Sequence, residues 1–128
     1  MKLAIPVKMN KLNSPVAPLF GKAKWFAIVK GGELFSIIPN NQSSGVGVVE
    51  LFHEMKIDAL LTQELGATPY EKIKEQGTIS IYHTGFKRIL LNDLLKKFED
   101  GELELLDDTN INKIIKHHKK KHLHTHAH

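Results

Sequence analysis

The side chains able to do chemistry are unevenly placed along the 128 residues. Six of the eight histidines crowd the C-terminus: His117, His118 and then His122, His124, His126 and His128 at alternate positions. An extended chain projects alternate residues to one side. Neutral imidazoles suit Zn, Ni, Co or Cu ions, and such binding weakens below about pH 6 as the rings protonate. A solubilising basic tail, or the remnant of a purification tag, accounts for the same composition.

Four sets of residues in the body offer chemistry of another kind. In the loop from Ser14 to Lys24, the side chains of Ser14, Lys22 and Lys24 and the backbone N–H groups around Gly21 can hold an anion without a covalent ligand. The structural alternative has Phe20 packed in the core and Gly21 permitting an unusual turn. Ser43, Ser44 and Gly45 precede a helix, where they could receive an anion or simply cap the helix. Gly66 lies in the connection 63–68, where Thr68 and Glu71 read as a capping box with Pro69 as the first helical residue. His83 follows an apolar strand and is the one body histidine placed to act as a ligand. A lone imidazole makes a poor metal site, so a hydrogen-bonded role competes. His53 reads as a helix-surface residue.

The elements that must position these groups follow from periodicity. Lys2–Val7 is a short run of strand formers. Trp25–Lys30 and residues 33–38 flank Gly31-Gly32 and read as a hairpin. From Gly45, Val48, Leu51, Phe52 and Met55 recur at helical spacing. Residues 57–62 read as a buried strand, 68–76 as a short helix closed by Gly77, and 78–82 as another strand. Phe86, Ile89, Leu90, Leu94, Leu95 and Phe98 then mark an amphipathic helix stopped near Gly101. Alternating strands and helices predict parallel strands with right-handed crossovers, and the hairpin adds antiparallel pairing. The expectation is an α/β protein with a mixed five-stranded sheet and helices on its faces. In such sheets the crevice lies beyond the carboxyl ends of the parallel strands, at loops 8–23, 63–68 and 83–85.

Composition removes several classes of function. With no cysteine there is no disulfide scaffold, thiol nucleophile, zinc ribbon or cysteine-ligated iron–sulfur cluster. No apolar run approaches the roughly 18 residues of a membrane span, and Lys8 cuts short the N-terminal apolar stretch before it could serve as a signal peptide. A cytoplasmic protein without membrane contact is expected. The net charge of +4 belongs to the tail: residues 1–112 hold 13 Lys and Arg against 14 Asp and Glu, whereas 113–128 hold five Lys and no acid. A near-neutral body without a basic, aromatic-lined face argues against nucleic-acid binding. Catalysis is not expected either. The first strand carries no carboxylate for a two-metal nuclease, and phosphate-loop, serine-nucleophile and His-Glu-x-x-His motifs are missing.

Several segments in order resemble the dinitrogenase iron–molybdenum cofactor biosynthesis family, also described as nitrogenase accessory factor-like. They are MKLAIPV at the N-terminus, SPVAPLFGKAKWFAIV from Ser14, IDALLTQELGATPYEKIKEQGTISIY from Ile57 and FEDGELE from Phe98. The resemblance covers about residues 1–105, leaving 106–128 as a flexible Lys/His-rich tail. It implies a three-layer α/β/α ribonuclease H-like fold. It also implies a non-enzymatic carrier or scaffold for an iron–molybdenum or other metal–sulfur cluster, or its precursor, working with a cofactor-assembly protein. Where the family loop reads His-Phe-Gly-Arg-Ala, this chain reads Leu19-Phe20-Gly21-Lys22-Ala23. Leu19 cannot coordinate a metal, and Lys22 keeps the arginine's charge without its planar fork. The resemblance then implies electrostatic holding of an anionic cluster in a crevice formed by Ser14, Phe20, Gly21, Lys22, Gly66 and His83. A protein-interaction module without cofactor, and metal buffering by the tail alone, are the competing readings.

Overall fold

The computed structural model describes residues 1–115, and the six tail histidines lie outside them. The chain runs β1 (Lys2–Val7), β2 (Trp25–Lys30), β3 (Glu33–Pro39), α1 (Gly45–Glu54), β4 (Ala59–Thr62), α2 (Ala67–Gln76), β5 (Ser80–His83), α3 (Leu91–Glu99) and β6 (Glu104–Leu106). One sheet takes the order β3-β2-β1-β4-β5-β6. Strands β1, β4 and β5 are parallel, while β2, β3 and β6 join antiparallel. Gly31 and Gly32, at φ 58° and 82°, make the two-residue turn between β2 and β3. Two successive positive φ values match the twist of the flanking strands, and glycine adopts them without a Cβ penalty.

Strand alternation divides the core into two layers. Ala4, Phe26, Ile28, Leu60 and Ile81 face α1 and α2 with Val48, Phe52, Tyr70 and Ile73. Leu3, Ile5, Val7, Ala27, Val29, Ala59 and Leu61 face α3 with Leu91 and Leu94. Sheet faces are therefore apolar on both sides, as a three-layer arrangement requires. No helix among the described residues is long and apolar enough to cross a membrane.

Four expectations are corrected. The sheet has six strands, not five: β6 is only three residues long, and of these Leu106 alone is buried, so its charged neighbours masked the pattern. Packing also continues past residue 105, because Leu106, Ile111 and Ile114 join the α1/α2 layer and residues 112–115 form a helical turn. The last helix begins at Leu91 rather than near Phe86. Residues 84–90 instead form a loop that turns at Gly85 (φ 87°) and pairs with the N-terminal loop through Val16 N–H to Ile89 O, 2.9 Å. Finally, α2 starts at Ala67 behind Gly66, and no side chain caps it. The Thr68/Glu71 box does not form; Pro69 falls third in the helix, where an absent N–H leaves no hydrogen bond unmade.

Candidate functional site

The N-terminal loop, which starts at the carboxyl end of β1, is built as a fixed arch. Ser14 is fully buried at its base, accepting from the Met9 N–H (3.0 Å) and donating to the Pro15 carbonyl (3.0 Å). The Ser14 carbonyl accepts from Leu91 N–H and the Asn13 side chain from Asn92 N–H, so the arch is fastened to the start of α3. Beyond it, Phe20 turns inward. Its ring packs against Phe26 and Phe52 at 6.2 and 6.0 Å between centroids. Burial of that ring determines where Gly21 and Lys22 stand.

Asn40, just after β3, secures the far side. Its amide donates to the carbonyls of Gly21 (3.1 Å) and Ala23 (2.8 Å), while its own N–H donates to Lys24 O. A side chain making two bonds to a loop 17 and 19 residues away has no signature in local pattern. The Pro39-Asn40 pair following a strand was the only available cue.

A cavity of about 330 Å³ opens where this loop meets the starts of α1 and α2. Phe20, Gly21 and Lys22 line one side, Ser44 and Gly45 a second, and Gly66, Thr68 and Pro69 a third. The three walls touch closely. A Cβ on Gly45 would lie 2.5 Å from Pro69 Cγ, and one on Gly21 would lie 3.2 Å from Gly45 Cα. Only glycine at position 45 lets the two helix starts approach this far. Ser44 caps α1 through Gly47 N–H at 3.1 Å, so the capping role of that serine is realised.

The electrostatics favour negative charge. Neither α1 nor α2 carries an acid in its first turn. Each helix start is equivalent to roughly half a positive charge, and the leading N–H groups have no acceptor within their own helices. Lys22 adds a full cation at the rim. Glu64, fully buried, is the acid among the lining residues. A second hollow of about 270 Å³ adjoins, lined by Lys8, Lys22 and Lys24, and Leu19 stands between the two. The aliphatic side chain at position 19 thus occupies the central ridge of the site.

Of the six body residues singled out from sequence, the fold brings together Phe20, Gly21, Lys22 and Gly66 around this cavity. Ser14 is placed beneath the arch, within the structural hydrogen bonds just described. His83 is the last residue of β5, mostly buried, with its ring edge-on to Phe86 at 4.7 Å; it does not line the cavity. No group of three or more His, Asp or Glu side chains able to hold a metal ion occurs among the described residues.

A family model for dinitrogenase iron–molybdenum cofactor proteins matches residues 1–101. The chain belongs to that family. The matched span holds the described walls of the cavity and of the adjoining hollow, from Val7 to Pro69. Among solved structures of similar fold, the apo form of the orange protein from Desulfovibrio gigas superimposes with a TM-score of 0.72 at 18% identity, covering 82% of this chain and 92% of that one. A Thermotoga protein assigned provisionally as NifB, of the DUF35 family, gives 0.68 at 24% identity over 82% and 92%. A Methanocaldococcus jannaschii protein assigned provisionally as a dinitrogenase gives 0.63 at 20% identity over 84% and 95%. At these identities the likeness establishes the shared mixed α/β fold. No curated protein shows significant sequence similarity to the chain.

Proposed function

We propose that this protein is a non-enzymatic carrier for an anionic metal–sulfur cofactor or its precursor, held in the cavity between the starts of α1 and α2. The observation that carries the reading is the convergence of two helix N-termini, both free of acidic side chains in their first turns, with Lys22 on one cavity. Family membership supplies the class of cargo. Retention is electrostatic. With no cysteine in the chain and Leu19 on the ridge, the cargo brings its own sulfur and exchanges without breaking a protein–metal bond. The ribonuclease H-like description of the fold belongs to the same reading, supported by a mixed sheet with helices on both faces. A cofactor-assembly protein is the expected partner.

The test is anaerobic loading of the full chain, prepared without metal resin, with iron–molybdenum cofactor and separately with tetrathiomolybdate plus copper. Metal and visible absorption are then quantified after gel filtration. Lys22→Glu should abolish retention, whereas replacing the six tail histidines by alanine should leave it intact. Retention that ignores Lys22 and disappears with the tail histidines would transfer the chemistry to the tail. Failure of every version to retain either cluster would favour an interaction module without cofactor.

A further inference from the structure

A cavity of about 700 Å³ lies apart from the Lys22 site. It opens beyond the carboxyl end of β5, between the loop 84–90 and α3. The volume suits a medium-sized organic molecule.

Its lining is cationic with an aromatic at the mouth. Lys87, Arg88, Lys96 and Lys97 face Asp93 and Glu102. Among the described residues only Lys96 of these four cations is ion-paired, to Asp100 at 3.6 Å one turn along α3. Phe86 is 42% exposed, yet its position is fixed: its ring rests edge-on against His83, and its carbonyl accepts from the Gln63 side chain at 3.4 Å. The other end of the loop is tied down through Ile89 O and the bridge between Pro15 and Leu90.

We propose that this cavity binds a nucleotide-class ligand, a flat nitrogen heterocycle carrying phosphate. Arg88 presents a planar fork suited to phosphate oxygens, and the neighbouring lysines add charge. Phe86 offers a ring face for stacking. Asp93 and Glu102 accept ring amino hydrogens, and they repel a ligand that is anionic along its whole length, such as an acidic peptide. The ligand is thus one with phosphate at one end and N–H donors at the other.

The inference is independent of the carrier reading and is tested on the full chain by titration calorimetry. The probes are ATP, adenosine, inorganic tripolyphosphate and a hexaglutamate peptide. ATP should bind, and R88Q combined with K97Q should weaken it at least about tenfold, the loss expected for a charge-assisted hydrogen bond. Phe86→Ala should weaken ATP while leaving tripolyphosphate unchanged. Changing the five lysines of residues 113–128 to glutamine should leave ATP affinity within twofold. Arg88 and Lys97 are exposed, and circular dichroism confirms that each variant is folded. The proposal is overturned if ATP does not bind at millimolar concentration, if the tail lysines carry the binding, or if tripolyphosphate matches ATP and Phe86→Ala has no effect. Hexaglutamate binding in place of ATP would overturn it in favour of an acidic protein segment.

Discussion

Replacing Gly45 by alanine probes the closest contact at the cavity lined by Lys22. The new Cβ would stand 2.5 Å from Pro69 Cγ and 3.4 Å from Pro69 Cβ. Carbon atoms in contact normally sit about 3.5–4.0 Å apart, so the methyl intrudes by about 1 Å. Pro69 cannot swing aside as a long side chain would, and the starts of α1 and α2 must separate. Overpacking of this kind costs about 1–3 kcal/mol, offset by about 0.4–1 kcal/mol because alanine restricts the unfolded chain. A net loss of about 1–2 kcal/mol is expected, a fall in Tm of about 4–8 °C for a domain of this size. Gly47→Ala is the internal control. Its Cβ meets Gln42 Oε1 at 2.9 Å, the end of a flexible exposed chain, and its backbone is already helical. Alanine there should raise stability by about 0.5–1 kcal/mol. Urea denaturation of both variants reads the difference. If the two substitutions shift the midpoint in the same direction by similar amounts, the helix starts are not in rigid contact and the cavity has no fixed shape.

Further outcomes follow from other contacts. Ile114→Ala removes a fully buried side chain and should cost about 2–5 kcal/mol by urea denaturation; a cost near zero would return residues after 105 to the tail. Asn40→Ala strips a donor from Gly21 O and Ala23 O, and should cost about 1–3 kcal/mol. Faster amide exchange should then be confined to the arch and the end of β3, and unchanged exchange there would refute the tether. The Tyr70 phenol is pushed up to about 12 by burial first and then by donating to Asp108 at 2.6 Å. Its contribution to stability is therefore complete below about pH 10 and lost as pH rises toward the folded value. Ultraviolet titration should show Asp108→Asn bringing that transition down, and an unmoved transition would refute the part assigned to Asp108. Asp108 itself is held low by Lys74 and Tyr70, so its contribution is present above about pH 4 and declines as acid protonates it.

Much of the fold was legible because the strands repeat with period two and the turns carry glycine. The Gly31-Gly32 hairpin and the Gly77 helix end, at φ 70°, occur where the residues placed them. What was lost depended on partners distant in sequence. Phe86 and Ile89 continue the period of Leu94 and Phe98, but the arch captures Ile89 and Leu90 and delays α3 to Leu91. Strand β6 shows one buried residue, and no periodicity is visible in one residue. At the site, the loop around Gly21 and Lys22 was readable from glycine and charge. The cavity of Phe86 and Arg88 was hidden within a misplaced helix, and Asn40 within an ordinary turn.

The sheet order has a consequence for biosynthesis. Strand β1 lies at the centre, yet its parallel neighbour β4 is made only after α1; Lys2 N–H reaches Asp58 across 56 positions. As the chain leaves the ribosome, β1, β2 and β3 can form a three-stranded meander at once. That meander has apolar faces on both sides, with Phe26 and Ile28 awaiting α1 and Ala27 and Val29 awaiting α3. Its β1 edge is also open until β4 arrives. The nascent half-sheet is thus the species most prone to edge-to-edge pairing. Closure of β1 on β4, the pairing with the greater loop-closure cost, is the expected rate-limiting step of folding.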